Sequence, residues 1–140
     1  MPTNSEVVRR AYAFFGSAWE EARRQGAARP LDLTELYDPE VVLDEISEFP
    51  GAQAYRGYDG LNRWFADWFE LYQNIRFEPA DFKETGDKVI VPNHQRFRSR
   101  AGVETEQDVV HVWTLRDGRV VHATGFREMA DARAAAGLDA

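Results

Sequence analysis

Two adjoining stretches of the sequence carry opposite charges at every second position, and this alternation constrains the fold more tightly than any other feature. Arginines stand at positions 96, 98 and 100, and acidic residues stand at positions 104, 106 and 108. Because side chains alternate between the two faces of a β-strand, each set lies on one face of its own strand. A three-residue turn over 101–103 would pair the sets, and the expected partners are Arg100 with Glu104, Arg98 with Glu106 and Arg96 with Asp108.

The register of these two strands matters more than the energy of the charge pairs. Opposite charges that face each other contribute only a few tenths of a kcal/mol per pair. A slip by one residue, however, would move every side chain to the other face of the sheet. On the uncharged face we expect two rows that face each other in this order: Val89, Val91, Asn93, Gln95 and Phe97 against Leu115, Trp113, His111, Val109 and Gln107.

A further strand follows the dipeptide Asp117-Gly118. If this dipeptide is a two-residue turn, the strand places His122 beside Trp113, Thr124 beside His111 and Phe126 beside Val109; a longer, bulged turn would shift it. The pattern predicts a polar group in the middle of a mostly apolar face, made of Asn93, His111, His122 and Thr124. His94 falls on the charged face instead.

Helices precede these strands. Thr3 and Glu6 have the spacing of a capping box, apolar residues then recur at helical intervals, and Gly26 is a plausible stop. Further helices are expected near 31–37 and 59–72, a strand over 41–46 and a short alanine-rich helix over 129–136. From residue 75 onward, turn residues separate four strands in antiparallel steps. This order predicts a single α+β domain over residues 1–140.

Composition excludes several classes of function. The net charge of -7 disfavours a nucleic-acid or anionic-membrane partner, because a phosphate surface attracts basic proteins. The absence of cysteine removes disulfides, thiolate nucleophiles and cysteine-ligated metals. No signal peptide and no apolar run long enough to span a bilayer is visible, so we expect a cytoplasmic protein.

The order of motifs resembles that of a known family. The segment Leu36-Tyr37-Asp38-Pro39-Glu40-Val41 leads into a strand, Tyr55-Arg56-Gly57 precedes an aromatic helix, and a hairpin covers 111–121. Over nearly the whole chain this is similar to the SnoaL-like branch of the nuclear transport factor two-like superfamily. The resemblance implies a cone-shaped, strongly bent, mostly antiparallel sheet. It would wrap around three N-terminal helices, with a short C-terminal helix, a cavity between sheet and helices, and a homodimer through the outer sheet face.

The resemblance also implies roles for particular residues. The superfamily contains ketosteroid isomerases, polyketide cyclases, scytalone dehydratases and limonene epoxide hydrolases, and the fold does not choose among them. By position, Asp44 resembles the general base of the isomerases, and His111 stands where cyclases and isomerases tend to place a pocket acid. Tyr12 is one residue from the position of a hydrogen-bonding tyrosine. The Arg-x-Asp arrangement of the epoxide hydrolases is missing at Arg96, which disfavours that reaction.

Structural explanations compete with these roles. Asp44 could instead cap the loop toward Pro50 or pair with Arg56. His111 could be a buried histidine whose hydrogen bonds are satisfied by its neighbours. A metal site made of His111, His122 and Asp44 can be drawn, but no local ligand spacing supports it. We therefore expect neither a metal nor a cofactor.

Two hypotheses follow for the function. The first is a cofactor-free isomerase, cyclase or dehydratase that acts on a small hydrophobic carbonyl compound, with Asp44 as base and His111 as a polar pocket group. Its expected pocket lining is Tyr12, Phe15, Trp64, Asn93, Gln95, Trp113, His122 and Thr124. The second is a non-catalytic binding or assembly module whose pocket either holds a ligand or is filled by aromatic side chains: Phe15, Trp64, Phe97, Trp113 and Phe126. An open cavity of roughly 300 Å³ or more that both Asp44 and His111 reach would favour the first. Apolar residues on the outer sheet face fit a homodimer or a contact with a different partner chain: Ile90, Val110, Val112 and Val121.

Overall fold

A computed structural model describes residues 2–46 and 49–138 of the chain. Its elements in chain order are α1 (Asn4–Gln25), β1 (Tyr37–Asp44), β2 (Ala54–Arg56), α2 (Gly57–Leu71), β3 (Tyr72–Pro79), β4 (Lys83–Thr85), β5 (Lys88–Ser99), β6 (Glu104–Arg116), β7 (Arg119–Phe126) and α3 (Met129–Ala135).

The strands form one curved sheet with the order β2-β1-β7-β6-β5-β3, and β4 pairs with β5 beside that path. Every pairing is antiparallel except that of β1 with β7. The α+β class is therefore confirmed. The helices α1 and α2 pack on one side of the sheet, and their apolar faces form the core with residues such as Val89, Val91 and Val120.

The first helix forms as its sequence predicts. The Thr3 side chain accepts a hydrogen bond from the backbone N–H of Glu6, which satisfies one of the unpaired donors of the first turn. The helix ends at Gly26, whose φ of 71° is favourable for a residue without a Cβ atom. Its buried stripe includes Val8 and Trp19.

The predicted short helix over 31–37 is wrong, because residues 34–36 form only a turn. The Asp32 carboxylate accepts hydrogen bonds from both the backbone N–H and the hydroxyl of Thr34. Such local bonds compete with helix formation. Two N-terminal helices, rather than three, therefore pack on the sheet. After Leu71 there are five strands rather than four, because the short strand β4 forms a hairpin with β5.

The predicted register of β5 and β6 is wrong by two residues. Arg98 faces Glu104 and Arg96 faces Glu106, because the turn is centred on residue 101, one residue earlier than expected, and the Ser99 N–H donates to the Val103 carbonyl. Arg100 leaves the charged row and donates hydrogen bonds to the Phe69 carbonyl near the end of α2. A shift by two residues preserves the parity of the strand, so the faces are those predicted. His111 lies on the inner face, and the alternating charges lie on the outer face.

The predicted register of β7 is wrong by one residue, which does reverse its faces. Asp117-Gly118 is the two-residue turn, with Arg116 paired to Arg119, but a bulge at residue 121 shifts the remainder of the strand. Gly125 therefore faces His111, and Ala123 faces Trp113. Three residues that were expected on the inner face pair with outer-face residues of β6 instead: His122, Thr124 and Phe126.

The outer sheet face is not the exposed apolar surface that the sequence suggested. Ile90, Val110 and Val112 are buried, and the C-terminal helix α3 covers them through Ala132. The apolar residues of this face are thus used within the chain. The homodimer stays a prediction, and this face no longer provides a reason for it. Within the described ranges, no helix is both long enough and apolar enough to cross a membrane.

Candidate functional site

A cavity of about 560 Å³ lies between α1, α2 and the concave face of the sheet. It opens where its lining residues are exposed, at 50–53 and at 70–71. The expectation of a plugged core is therefore wrong. Phe15, Trp64 and Trp113 stand in the cavity wall, and Phe126 lies on the outer face beneath α3. The volume exceeds the threshold that favours a ligand site.

Most residues that were expected to line the pocket do so. The cavity wall contains both residues suggested for catalysis, Asp44 and His111, and six of the expected lining residues: Tyr12, Phe15, Trp64, Gln95, Trp113 and Thr124. Asn93 and His122 are not among the lining residues. Asn93 is buried behind the wall, where it accepts a hydrogen bond from Gln95. His122 lies on the outer face because of the bulge in β7.

Hydrogen bonds among three amide side chains, those of Asn93, Gln95 and Gln107, fix the tautomer of His111. The Gln95 amide nitrogen lies 3.1 Å from Asn93 Oδ1 and 3.2 Å from His111 Nε2. Gln95 Oε1 in turn accepts a hydrogen bond from Gln107. Because the Gln95 nitrogen donates, Nε2 of the imidazole accepts, and the proton of the neutral ring resides on Nδ1.

The imidazole in turn orients the Tyr12 hydroxyl. His111 Nδ1 lies 2.6 Å from the Tyr12 oxygen, and Trp113 Nε1 donates to the same oxygen at 3.2 Å. The Tyr12 oxygen therefore accepts two hydrogen bonds. Its own proton has no acceptor among the described residues, and the side chain lines the cavity. This arrangement presents an O–H donor to whatever occupies the cavity.

Burial keeps both of these groups neutral. It lowers the pKa of His111 to about 4, so the imidazole carries no charge at pH 7. Burial also raises the pKa of Tyr12, although the hydrogen bond from Trp113 acts in the opposite direction. The pair therefore offers a neutral donor in an apolar surround, where hydrogen bonds to a developing negative charge are strongest.

Tyr37 adds a second hydroxyl to the cavity wall. Its side chain lines the cavity, its pKa is raised by burial, and its hydroxyl makes no hydrogen bond with the described residues. Tyr37 and Tyr12 pack against the same cluster of core residues. Sequence reasoning did not single out Tyr37 as a site residue, because it placed this residue at the end of a predicted helix over 31–37.

Space beside the imidazole depends on Gly125, which faces His111 across β6 and β7. A Cβ atom at residue 125 would lie 2.8 Å from Ile46 Cγ1 and 3.4 Å from His111 Cδ2. Contacts shorter than 3.0 Å force a neighbour to move. The absence of a side chain here therefore leaves room for both the imidazole and Ile46.

The two carboxylates at the end of β1 face in opposite directions. Asp44 pairs with Thr124 in parallel register, so it shares the outer face with His122, and its carboxylate lies 2.7 Å from His122 Nε2. It touches the cavity only where β1 ends. Glu45, the next residue along the chain, accepts a hydrogen bond from Trp68 Nε1 at 3.2 Å, and both residues line the cavity. The register of β1 against β7 shifts between Tyr37 and Val42, and Asp44 then lies opposite Thr124.

The imidazoles of His111 and His122 lie on opposite faces of the sheet, so they do not converge on one ion. Within residues 2–46 and 49–138, no group of three His, Cys, Asp or Glu side chains is arranged to hold a metal.

Comparisons with known proteins agree with this architecture. The profile of the SnoaL-like domain family matches residues 8–123. Among curated proteins, none matches the sequence at a significant level.

Similar solved structures include an NTF2-like protein of unknown function from Burkholderia pseudomallei, at 20% identity and a TM-score of 0.72, covering 96% of this chain and 97% of that one. An NTF2-like protein from Burkholderia thailandensis has 25% identity and a TM-score of 0.68, covering 94% and 98%. A provisionally named SnoaL-like polyketide cyclase from Jannaschia sp. CCS1 has 20% identity and a TM-score of 0.66, covering 94% and 90%. These likenesses concern the fold, and they leave the reaction open.

Proposed function

Because this chain belongs to the SnoaL-like domain family, we propose that its cavity binds a small, largely apolar molecule and holds an oxygen atom of that molecule with the Tyr12 hydroxyl. The observation that carries the proposal is the double acceptance at the Tyr12 oxygen, from His111 and from Trp113. With both acceptor positions used inside the protein, the phenolic proton is left for a ligand oxygen.

The chemistry that fits such a site is proton transfer next to a carbonyl group. A carboxylate removes the proton from the carbon beside the carbonyl, the C–H electrons form a C=C bond, and the carbonyl electrons move to oxygen. The resulting enolate oxygen accepts the hydrogen bond from Tyr12. In a β,γ-unsaturated ketone the enolate is conjugated with the neighbouring C=C bond, so return of the proton to the γ-carbon moves the double bond and completes an isomerisation without any cofactor.

Two residues compete for the role of the base. Asp44 has the position that resembles the family's base, but its carboxylate is engaged by His122 on the outer face. Glu45 faces the cavity, and its two oxygens accept hydrogen bonds from Trp68 Nε1 and from the backbone N–H of Gln53. Because both carboxylates already have partners, a binding protein without turnover is the second candidate function.

Binding can be tested with 2-naphthol and 2-acetylnaphthalene, two rigid apolar probes that each carry one oxygen. Isothermal titration should show about tenfold weaker binding to Tyr12→Phe, since a hydrogen bond of roughly 1.5 kcal/mol is lost. Tyr58→Phe is the matched control, because its hydroxyl bonds the Tyr37 carbonyl and Tyr58 does not line the cavity. Equal affinity of the wild type and Tyr12→Phe would refute the proposal.

Turnover can be separated from binding in the same system. In D₂O, a base in the cavity would exchange the methyl protons of bound 2-acetylnaphthalene for deuterium, which NMR detects. Loss of this exchange in Glu45→Gln with retention in Asp44→Asn would identify Glu45 as the base, and the reverse would identify Asp44. Binding without exchange in the wild type would favour the second candidate.

A further inference from the structure

The charged residues of the cavity wall are all of one sign. Four acidic residues line it, namely Asp44, Glu45, Asp67 and Glu70. None of its described lining residues is a lysine or an arginine. His111 is neutral at pH 7, because burial lowers its pKa to about 4. Among the described lining residues, a ligand therefore meets acidic side chains and no lysine or arginine.

Three of these carboxylates lack an internal counter-ion. Among the described residues, Glu45, Asp67 and Glu70 form no ion pair, whereas Asp44 pairs with His122 on the outer face. Two arginines lie nearby but do not line the cavity: the guanidinium of Arg63 stands 5.0 Å from the ring of Tyr55, and that of Arg127 stands 4.6 Å from the ring of Phe49.

Aromatic rings occupy the same end of the cavity as these acids. The Trp64 and Trp68 rings lie 5.1 Å apart at an interplanar angle of 44°, and Tyr72 follows at 5.7 Å from Trp68. All three rings line the cavity. The indole N–H of Trp68 is held by Glu45, which fixes the ring beside a carboxylate. Indole faces attract cations through their quadrupole, and a neighbouring carboxylate adds to that attraction.

We propose that the ligand carries a cationic amino or quaternary ammonium group, which is bound between Glu45 and the Trp64–Trp68–Tyr72 rings. This inference rests on the proposed function, since the same ligand would place its oxygen at Tyr12. Its apolar body would lie against the wall between these two ends, beside side chains such as Phe15 and Phe77. An anionic ligand would be repelled by Glu45, Asp67 and Glu70, which have no ion-pair partner among the described residues.

The test uses two ketones that differ in charge alone. One is 2-acetylnaphthalene with a trimethylammonium group at carbon 6, and the other carries a tert-butyl group there, which has nearly the same shape. Titration of the wild type at low ionic strength should show about tenfold tighter binding of the ammonium compound. This preference should shrink at 1 M KCl, where charges are screened.

Substitutions in the chain show which residues cause the preference for the ammonium compound. Glu45→Gln should reduce the preference to about twofold while it retains an oxygen that can accept from Trp68. Trp64→Leu should also reduce it. Glu40→Gln is the control, because Glu40 is exposed and does not line the cavity; it should leave the preference unchanged.

The outcomes separate this inference from the proposed function. Equal or tighter binding of the tert-butyl ketone to the wild type overturns the ammonium site and leaves the binding of apolar ketones intact. A preference that persists unchanged in both Glu45→Gln and Trp64→Leu overturns the assigned location. Failure of both ketones to bind the wild type overturns the proposed function together with the inference.

Discussion

The two faces of the β5–β6 strand pair each carry one histidine, and they hold it in opposite ways. On the inner face, burial lowers the pKa of His111 to about 4, and its hydrogen-bond partners, Tyr12 and Gln95, are neutral. On the outer face, His94 lies 2.9 Å from Glu106 and 2.7 Å from Asp108, and its hydrogen bonds to these carboxylates raise its pKa. One strand pair thus favours a neutral imidazole on one side and a charged one on the other.

The difference shows where polar groups in this fold have large energetic effects. Inner polar side chains are removed from water, so each must find a partner among a few fixed neighbours or present itself to a ligand. Outer charged side chains remain solvated, and water replaces a lost partner at little cost. Changes on the inner face should therefore alter stability and binding strongly, whereas changes on the outer face should alter them weakly.

The largest expected effect is the pH dependence that His111 imposes on stability. Its pKa is about 4 in the folded chain and 6.5 ordinarily, so the unfolded chain binds the proton more readily. The contribution of His111 to the free energy of unfolding is complete above pH 6.5. As the pH falls toward 4, the free energy of unfolding decreases by up to roughly 3 kcal/mol. Urea unfolding of His111→Gln at several pH values should show a flatter acid limb than the wild type.

The matched control for this experiment is His94→Gln, which should change the pH dependence with the opposite sign. The folded chain raises the pKa of His94, so protonated His94 stabilises the fold at pH values below its ordinary pKa. This stabilisation is lost as the pH rises through the raised pKa. The same slope change in both variants would contradict the comparison of the two faces.

The next effect concerns the space beside the imidazole. Gly125→Val would place atoms against Ile46 and His111, where a Cβ alone already comes within 2.8 Å of Ile46 Cγ1. We expect a loss of about 2 kcal/mol in the free energy of unfolding, and loss of 2-naphthol binding because the wall near His111 is displaced. Gly16→Ala is the control, since nothing lies within 4 Å of a Cβ there. Unchanged binding in Gly125→Val would place the ligand away from the imidazole.

The smallest effect belongs to the charged row. Arg98 and Glu104 form an exposed pair with 3.6 Å between Nη1 and Oε1. A double-mutant cycle with Arg98→Ala and Glu104→Ala should give a coupling below about 0.5 kcal/mol. A coupling energy above 1.5 kcal/mol would mean that polar side chains on the outer face contribute as much to stability as those on the inner face, which would contradict the comparison.

Sequence reasoning predicted most of the fold but less of the site. Capping at Thr3, the end of α1 at Gly26 and the face of His111 could all be predicted, because each depends on neighbours in sequence or on the parity of one strand. The two-residue error in the register of β5 and β6 was harmless, because it preserved parity. The one-residue bulge in β7 did affect the predicted site, since it moved His122 out of the predicted polar group.

The residues that were missed share a physical reason. Glu45 accepts a hydrogen bond from Trp68 of α2, and Tyr37 lines a cavity whose other walls come from distant helices and strands. Neither fact is encoded in the local pattern of hydrophobic and polar residues. A signal for Glu45 did exist in the aromatic helix, since the N–H of a partly buried indole usually finds an acceptor, as that of Trp68 does.

The sequence by itself determined the class of the fold, the caps of the first helix and the separation of a charged face from a mostly apolar one. These features depend on periodicity and on local hydrogen bonds, which act over a few residues. Only the tertiary structure decided that the core stays open, which carboxylate of β1 enters the cavity and that α3 covers the outer face. Those outcomes depend on how distant segments fill space together, whereas the one-residue bulge in β7 decided only which residues of that strand face inward.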